Sequence, residues 1–443
     1  MHKIKLLLLL FFSFLLSGFA QNNTSSPYSR YGLGEIVSNG FGSGRAMGGV
    51  SIATGSGPNI NFINPASYST FGKQSFIFDF ELKNKSASYK NQVSGYSQSA
   101  SNIGYFAFGF PISDKIHSAF GLVPYSYVGY NLSNVDSTDF AGPIEYTYKG
   151  SGGLQRAYFG TSALFFKTIS LGANLSYLFG DINYSRKVNF LSSSYYYDLD
   201  RQTHTSLGDI MFNFGAMVTD TLTFYRDSLR TKENSTRLKI SFGVIYDNES
   251  KINATRSVFS RTYYSVTSSV SIDTLSDFSN EDGIVKMPRN LGFGLALSSL
   301  NNTFGKEDRL TLAADYIFQD WSDLTVFGLT DSLLKSSTLA IGLEYTPKYL
   351  SKKNVSYMQR VSYRAGYRMT NSYISVNGEQ LKNFGITFGL GLPLNRYSGS
   401  TLGFSVELGK NGTTRNNLIE ENYAIITLNL SLHDKWFYKR KFD

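Results

Sequence analysis

The chain has 443 residues, with 42 Lys and Arg against 33 Asp and Glu, 35 Phe, 31 Tyr, 41 Gly, 9 Pro and no Cys. A chain without Cys has no disulfide scaffold, and four His alone are a poor ligand set for a structural zinc. The net charge of +9, part of which leaves with Lys3 and Lys5, is spread along the length, so no concentrated basic face for nucleic acid stands out.

The first element is an export leader. Lys3 and Lys5 form its positive start, Leu6 to Leu16 an apolar run broken only by Ser13, and Gly18 and Ala20 the small residues ahead of a cut before Gln21. That run is too short to span a bilayer as a helix. No Cys follows the cut, so the mature chain is not a lipoprotein. We therefore divide the sequence into a leader (1–20), an N-terminal lead and lumenal plug (21–73), a barrel (74–434) and a basic periplasmic tail (435–443).

The plug candidate is RAMGGVSIATGSGPNINFINPASY, Arg45 to Tyr68. Gly48 and Gly49 permit tight backbone turns. Asn64-Pro65 is a turn signal, because Pro65 fixes its own φ and disfavours helix at Asn64.

From Gln74 onward the pattern has period two. In the last segment Ala424, Ile426, Leu428, Leu430 and Leu432 share one face, while Tyr423, Thr427, Asn429, Ser431 and His433 share the other, with Ile425 the exception. Segments around Leu402–Leu408, Phe384–Leu392 and Leu291–Leu297 set large apolar residues against Gly, Ser, Thr and charge. This is what a lipid-facing wall around a polar or crowded lumen requires. About fourteen such segments fit, at 75–88, 100–111, 116–131, 155–167, 169–187, 204–218, 237–262, 284–299, 308–325, 337–348, 359–374, 382–393, 400–411 and 422–433. Short connections (113–115, 167–168, 396–400) alternate with long polar ones (132–154, 188–203, 412–421); the 219–236 and 349–358 turns are long for the periplasmic side. A soluble sandwich or propeller would also alternate, but no propeller repeat is visible. The expected fold is an all-β, 14-stranded antiparallel transmembrane β-barrel with an N-terminal plug, in the outer membrane of a Gram-negative bacterium.

The plug, strand count and several segments resemble the FadL family of outer-membrane transporters for long-chain fatty acids and other hydrophobic compounds. The carriers are Arg45-Ala46-Met47-Gly48-Gly49 followed by Asn64-Pro65-Ala66, Met287-Pro288 opening the eighth strand, and Asp320-Trp321-Ser322 closing the ninth. The chain looks like the branch common in Bacteroidota, which includes PorV-like barrels that serve protein secretion. Its ending departs from the family: the final strand runs on through Trp436, Phe437 and Tyr438 into a basic tail.

Three sets of residues carry the functional expectation. The plug residues Arg45, Gly48, Gly49, Asn64, Pro65 and Ala66 form either a movable gate or a fixed stopper. In the third strand Pro124, flanked by Gly121 and Gly129, cannot donate a ladder bond. It marks either a gap in the wall, which the resemblance implies is a side exit for cargo, or a bulge with no opening. Asp315, Glu344, Arg364, Arg368 and Glu407 face inward by alternation. They either brace the wall as salt bridges or, at Arg364 or Arg368, receive a fatty carboxylate. Tyr195, Tyr196 and Tyr197 lie in an outer loop and serve as girdle residues or as part of a capture site. His117, His204 and His433 sit at strand ends or in a loop and no GxSxG motif stands on a strand-turn-helix, so no enzyme and no cofactor is expected. The functional expectation is passive uptake of hydrophobic small molecules, gated by the plug and the third strand. The alternative is a non-transporting barrel that binds protein partners in a secretion or outer-membrane assembly complex. Expected partners are outer-membrane lipid, a hydrophobic ligand and a protein partner, with no nucleic acid.

Overall fold

The computed structural model describes residues 23–435 except 38–39, 56–58, 193–195, 227–233, 265–270, 304–306, 351–354 and 396–398. The leader, Tyr195 and the tail beyond Lys435 lie outside the described residues.

The wall is one closed antiparallel sheet of fourteen strands. They are β1 (Ser75–Lys90), β2 (Gly95–Pro111), β3 (Ile116–Thr138), β4 (Gly142–Phe165), β5 (Ile169–Phe190) and β6 (Asp198–Tyr225). Next come β7 (Ser235–Asp247 and Ser250–Tyr263), β8 (Ser271–Met287 and Asn290–Asn302), β9 (Arg309–Asp320) and β10 (Lys335–Thr346). The sheet ends with β11 (Ser362–Val376), β12 (Glu379–Pro393), β13 (Thr401–Asn411) and β14 (Glu420–Lys435). β14 pairs with β1 over the full length of both strands, which closes the barrel. β7 and β8 are each interrupted once. The inner part of β6 pairs with Ser235–Asp247 and its outer part with Ser250–Tyr263, so the two pieces continue one strand. β8 breaks beside this point, at Pro288-Arg289, where Pro lacks the ladder N–H.

The alternation read from the sequence decides the faces. In β14 Ile426, Leu428 and Leu432 are exposed outward, while Tyr423, Thr427, Asn429 and Ser431 are buried inward and Ile425 joins them. Outward Phe212 and Phe214 on β6, Phe293 and Leu295 on β8 and Phe388 on β12 continue the lipid-facing band.

Several boundaries differ from expectation. The stretch expected as a long polar loop, 132–154, is mostly strand: β3 and β4 pair out to Thr138–Gly142 around a tight turn. The 188–203 loop shrinks likewise, β6 runs on to Tyr225, and β8 begins at Ser271, so Met287-Pro288 interrupts that strand rather than opening it. The reason is physical. A strand of 24 residues such as β4 reaches ~80 Å, whereas crossing the bilayer needs about 9–11 residues. Beyond the lipid both faces meet water, the period-two hydrophobic signal vanishes, and only backbone pairing remains.

Candidate functional site

The N-terminal segment lies inside the barrel. Residues 24–37 occupy the outer part of the lumen, and 40–55 and 59–71 lie in its inner part, leading to β1. Gly42–Met47 and Pro65–Thr70 form 3-10 turns; the first ends at Gly48 with φ 71°, a left-handed conformation suited to Gly, and the second is capped by the Asn64 side chain.

The wall holds this segment by its backbone. Asp315 on β9 accepts the Ser51 and Ile52 N–H at 2.5 and 2.9 Å. Asp79 on β1 accepts the Ile60 N–H at 3.0 Å, and Tyr105 on β2 accepts Gly42 N–H at 2.9 Å. Asn174 on β5 donates to the Phe62 carbonyl at 3.0 Å and accepts the Tyr68 hydroxyl at 2.8 Å. Thr387 on β12 accepts Gly48 N–H at 2.8 Å. Arg45 pairs with buried Glu81 of β1 at 3.2 Å. Asn64 donates to the Ile52 carbonyl at 2.6 Å and accepts Ala66 N–H at 3.0 Å, so Asn-Pro-Ala ties two turns of the segment together.

Close approach depends on glycine in the wall. A Cβ on Gly366 would lie 2.1 Å from the Gly48 nitrogen, and one on Gly215 would lie 2.0 Å from the Asn64 Oδ1. The Gly that alternates with large apolar residues in the sequence is therefore, at these positions, the seat of the inner segment.

The inward charges are paired. Glu344 bonds both Arg309 and Arg364, the latter at 2.6 Å, and Arg368 bonds Glu407, which also accepts the Tyr423 hydroxyl at 3.1 Å. Arg364 and Arg368 thus already hold carboxylates of the chain itself. The sequence reading missed β1, where Asp79, Glu81, Lys83 and Lys85 alternate with outward Phe78, Phe80 and Leu82. Lys85 bridges Glu35 at 2.6 Å and Glu421 at 2.7 Å. The signal was present in FDFELKNK as charge at period two.

Along the third strand the wall loses part of its ladder. β2 and β3 pair only from Phe106–Leu122 to Pro111–His117, six residue pairs. Beyond Leu122 they part. β3 carries a bulge between Pro124 and Ser126 against β4, and its free edge is taken by a short strand of the N-terminal segment, Glu35–Ile36, opposite Tyr127 and Ser126. Gly121 sits below the parting, where a Cβ would meet the Phe106 carbonyl; Gly129 lies above it and donates its N–H to the Ser29 hydroxyl at 3.1 Å.

The lumen is otherwise filled. Tyr28 and Leu33 of the N-terminal segment pack with Leu154, Leu178, Ile182, Ile252, Trp321 and Tyr373 into one apolar core in its outer part. Phe41, Phe62, Tyr68 and Phe71 make a second against β1, β2, β3 and β4. Two spaces remain. One, about 100 Å³, adjoins the seam and is lined by Phe41, Phe62 and Pro124 but also Arg45, Arg156 and Asp247. The other, about 210 Å³, is lined by Glu35, Lys83, Lys85 and Arg368 but also by Tyr28, Ile36, Trp321, Tyr373 and Ile425.

The remaining candidates lie apart. Tyr196 stacks on Phe190 and Tyr197 meets Tyr264 edge-on, both beyond the outer rim. His204 bonds Asn183 at 2.7 Å and lies 3.7 Å from Asp181, while His117 is buried against the Phe71 ring.

A closed fourteen-stranded barrel with its N-terminal segment inside has the fold of outer-membrane channels for hydrophobic compounds. Among solved structures, the Ralstonia pickettii toluene transporter TbuX superposes with a TM-score of 0.55 at 14% identity, covering 89% of this chain and 98% of that one. The CymD monoaromatic hydrocarbon channel gives 0.54 at 12%, covering 90% and 99%. The Pseudomonas putida toluene transporter TodX gives 0.53 at 17%, covering 91% and 100%. At these identities the likeness is one of fold. The whole chain, residues 1–443, matches the family described as BamG, and the protein belongs to that family. No curated protein matches it.

Proposed function

We propose that this protein is a non-transporting barrel that serves as a partner-binding component of an outer-membrane secretion or assembly complex, in the Bacteroidota branch that its sequence resembles. The observation that carries this is the filled lumen. The two spaces beside the inner segment, about 100 and 210 Å³ and lined by charged as well as apolar side chains, fall below the ~300–1,000 Å³ of ordinary ligand pockets. Arg364 and Arg368 are engaged by Glu344 and Glu407, so neither is left for a fatty carboxylate. The inner segment is held at five strands through buried backbone bonds, as a fixed stopper would be.

A second reading, passive passage of a hydrophobic small molecule, is favoured by the parted β2–β3 wall and the Phe41, Phe62 and Pro124 side of the smaller space. In that reading the inner segment and the third strand act as gates, and Arg45, Gly48, Gly49, Asn64, Pro65 and Ala66 form the moving part.

Native mass spectrometry of the barrel, gently extracted from its own membrane, separates the two. A stoichiometric protein partner with no small apolar ligand supports the proposal. A co-purifying fatty acid or aromatic hydrocarbon, lost on Pro124→Val or on change of the inner segment, overturns it.

A further inference from the structure

We infer that the outer half of β2, Gly95–Tyr105, is a docking edge that receives an extended, outward-running strand of a partner polypeptide; this rests on the partner-binding reading and names its contact.

Four observations converge on this edge. Above Phe106, β2 has a strand neighbour on the β1 side and none on the other among the described residues. Within the chain the edge is touched only lightly among the described residues, by the Tyr127 hydroxyl at the Ile103 carbonyl (3.5 Å) and by the Asn23 carbonyl at the Asn102 amide (2.7 Å), and its sequence does not guard it. Exposed edges in natural sheets carry Lys, Pro or inward charges that repel added strands, whereas GYSQSASNIGY has no charge and no Pro. The surface beside it is not built for lipid. Asn84 and Ser86 face outward next to Ile426 and Ala424 of β14, and they bond Ser101 and Ser99 at 2.8 and 2.6 Å, so a polar strip flanks the edge where the neighbouring strands still present apolar residues. Lastly, the strand that would normally fill the gap is engaged elsewhere, since the matching edge of β3 pairs with Glu35–Ile36.

Direction selects the occupant. β2 descends from the outer rim, so an antiparallel neighbour must ascend. A second copy in the same membrane presents a descending β2, and its ascending β3 has that edge held by the N-terminal segment over Tyr125–Gly129. A separate chain supplying an ascending segment of about ten residues, with small or polar outward side chains matching Ser97, Ser99 and Ser101, satisfies the backbone groups by strand addition.

The test is residue-specific photocrosslinking in the native host. p-Benzoylphenylalanine replaces Ser97, Ser99 or Ser101 in the full chain, with a smaller diazirine residue wherever its bulk blocks the heat-dependent gel shift of a folded barrel. The expected result is crosslinks into one other polypeptide, at positions that rise by two as the probe moves from Ser101 to Ser99 to Ser97. Crosslinks into Tyr125–Asn131 of the same chain would mean that the wall zips shut, and would overturn the inference. Crosslinks only to lipid, or scattered without register, while a protein partner still co-purifies would overturn it and leave the partner-binding reading standing. The same crosslinks with no co-purifying protein would overturn both.

Discussion

At the scale of single residues, the lumen is organised by groups whose removal leaves something charged or polar without a partner. Glu344 is the strongest case, because Arg309 and Arg364 both depend on it. Glu344→Ala should destabilise the barrel by about 3–5 kcal/mol, the cost of stranding buried charge, read as a lowered transition temperature in the heat-dependent gel shift. Asp315→Ala removes the acceptor of two N–H groups of the inner segment and should cost about 1–3 kcal/mol for each group left unpaired. At Gly366 the problem is steric rather than polar: the Cβ of Gly366→Ala meets backbone, which cannot rotate away, so a loss of about 1–3 kcal/mol is expected in the same assay. Much of this was legible as pattern. Alternation placed Asp315, Glu344, Arg364, Arg368 and Glu407 inward, where their lumenal bonds now put them. Who pairs with whom was not legible, since Glu344 meets Arg364 through strand register and Asp315 meets Ser51 across 264 positions of sequence.

At the scale of the element, β3 shows how far a sequence signal reaches. Pro124 announced that a ladder would fail, and a bulge does sit there. The length of the parting from β2 could not be read from Pro124, since a distant segment, Glu35–Ile36, takes the β3 edge at Ser126 and Tyr127. This gives a test. Ile36→Pro should unseat the short strand and raise amide hydrogen exchange at Ser126–Val128 by tenfold or more, with Gly403–Glu407 of β13 unchanged as an internal reference. Equal exchange in both variants would show that Glu35–Ile36 does not protect β3. The outer hairpins teach the converse. Outward Val135, with water on every side, gives no period to read, so strands that extend past the membrane look like loops in the sequence.

For the molecule as a whole, the barrel is closer to a globular protein turned inside a lipid-facing sleeve than to a pipe. In planar bilayers the intact protein should show no steady conductance, and Asp315→Ala combined with Glu81→Ala should raise brief openings; large stable steps from the unaltered chain would contradict a filled lumen. One small cluster ties the sleeve to its contents. Asp79 of β1 accepts the Ile60 N–H of the inner segment and also the Ser431 hydroxyl and Asn429 amide of β14, at 2.5 and 3.1 Å. The strand pair that finishes the cylinder therefore shares a carboxylate with the segment inside it. A chain that joined β14 to β1 before Ile60 arrived would bury that carboxylate short of one donor. Closing the cylinder and seating the segment inside it are thus coupled through one buried group, so a change that loosens either should be felt by the other.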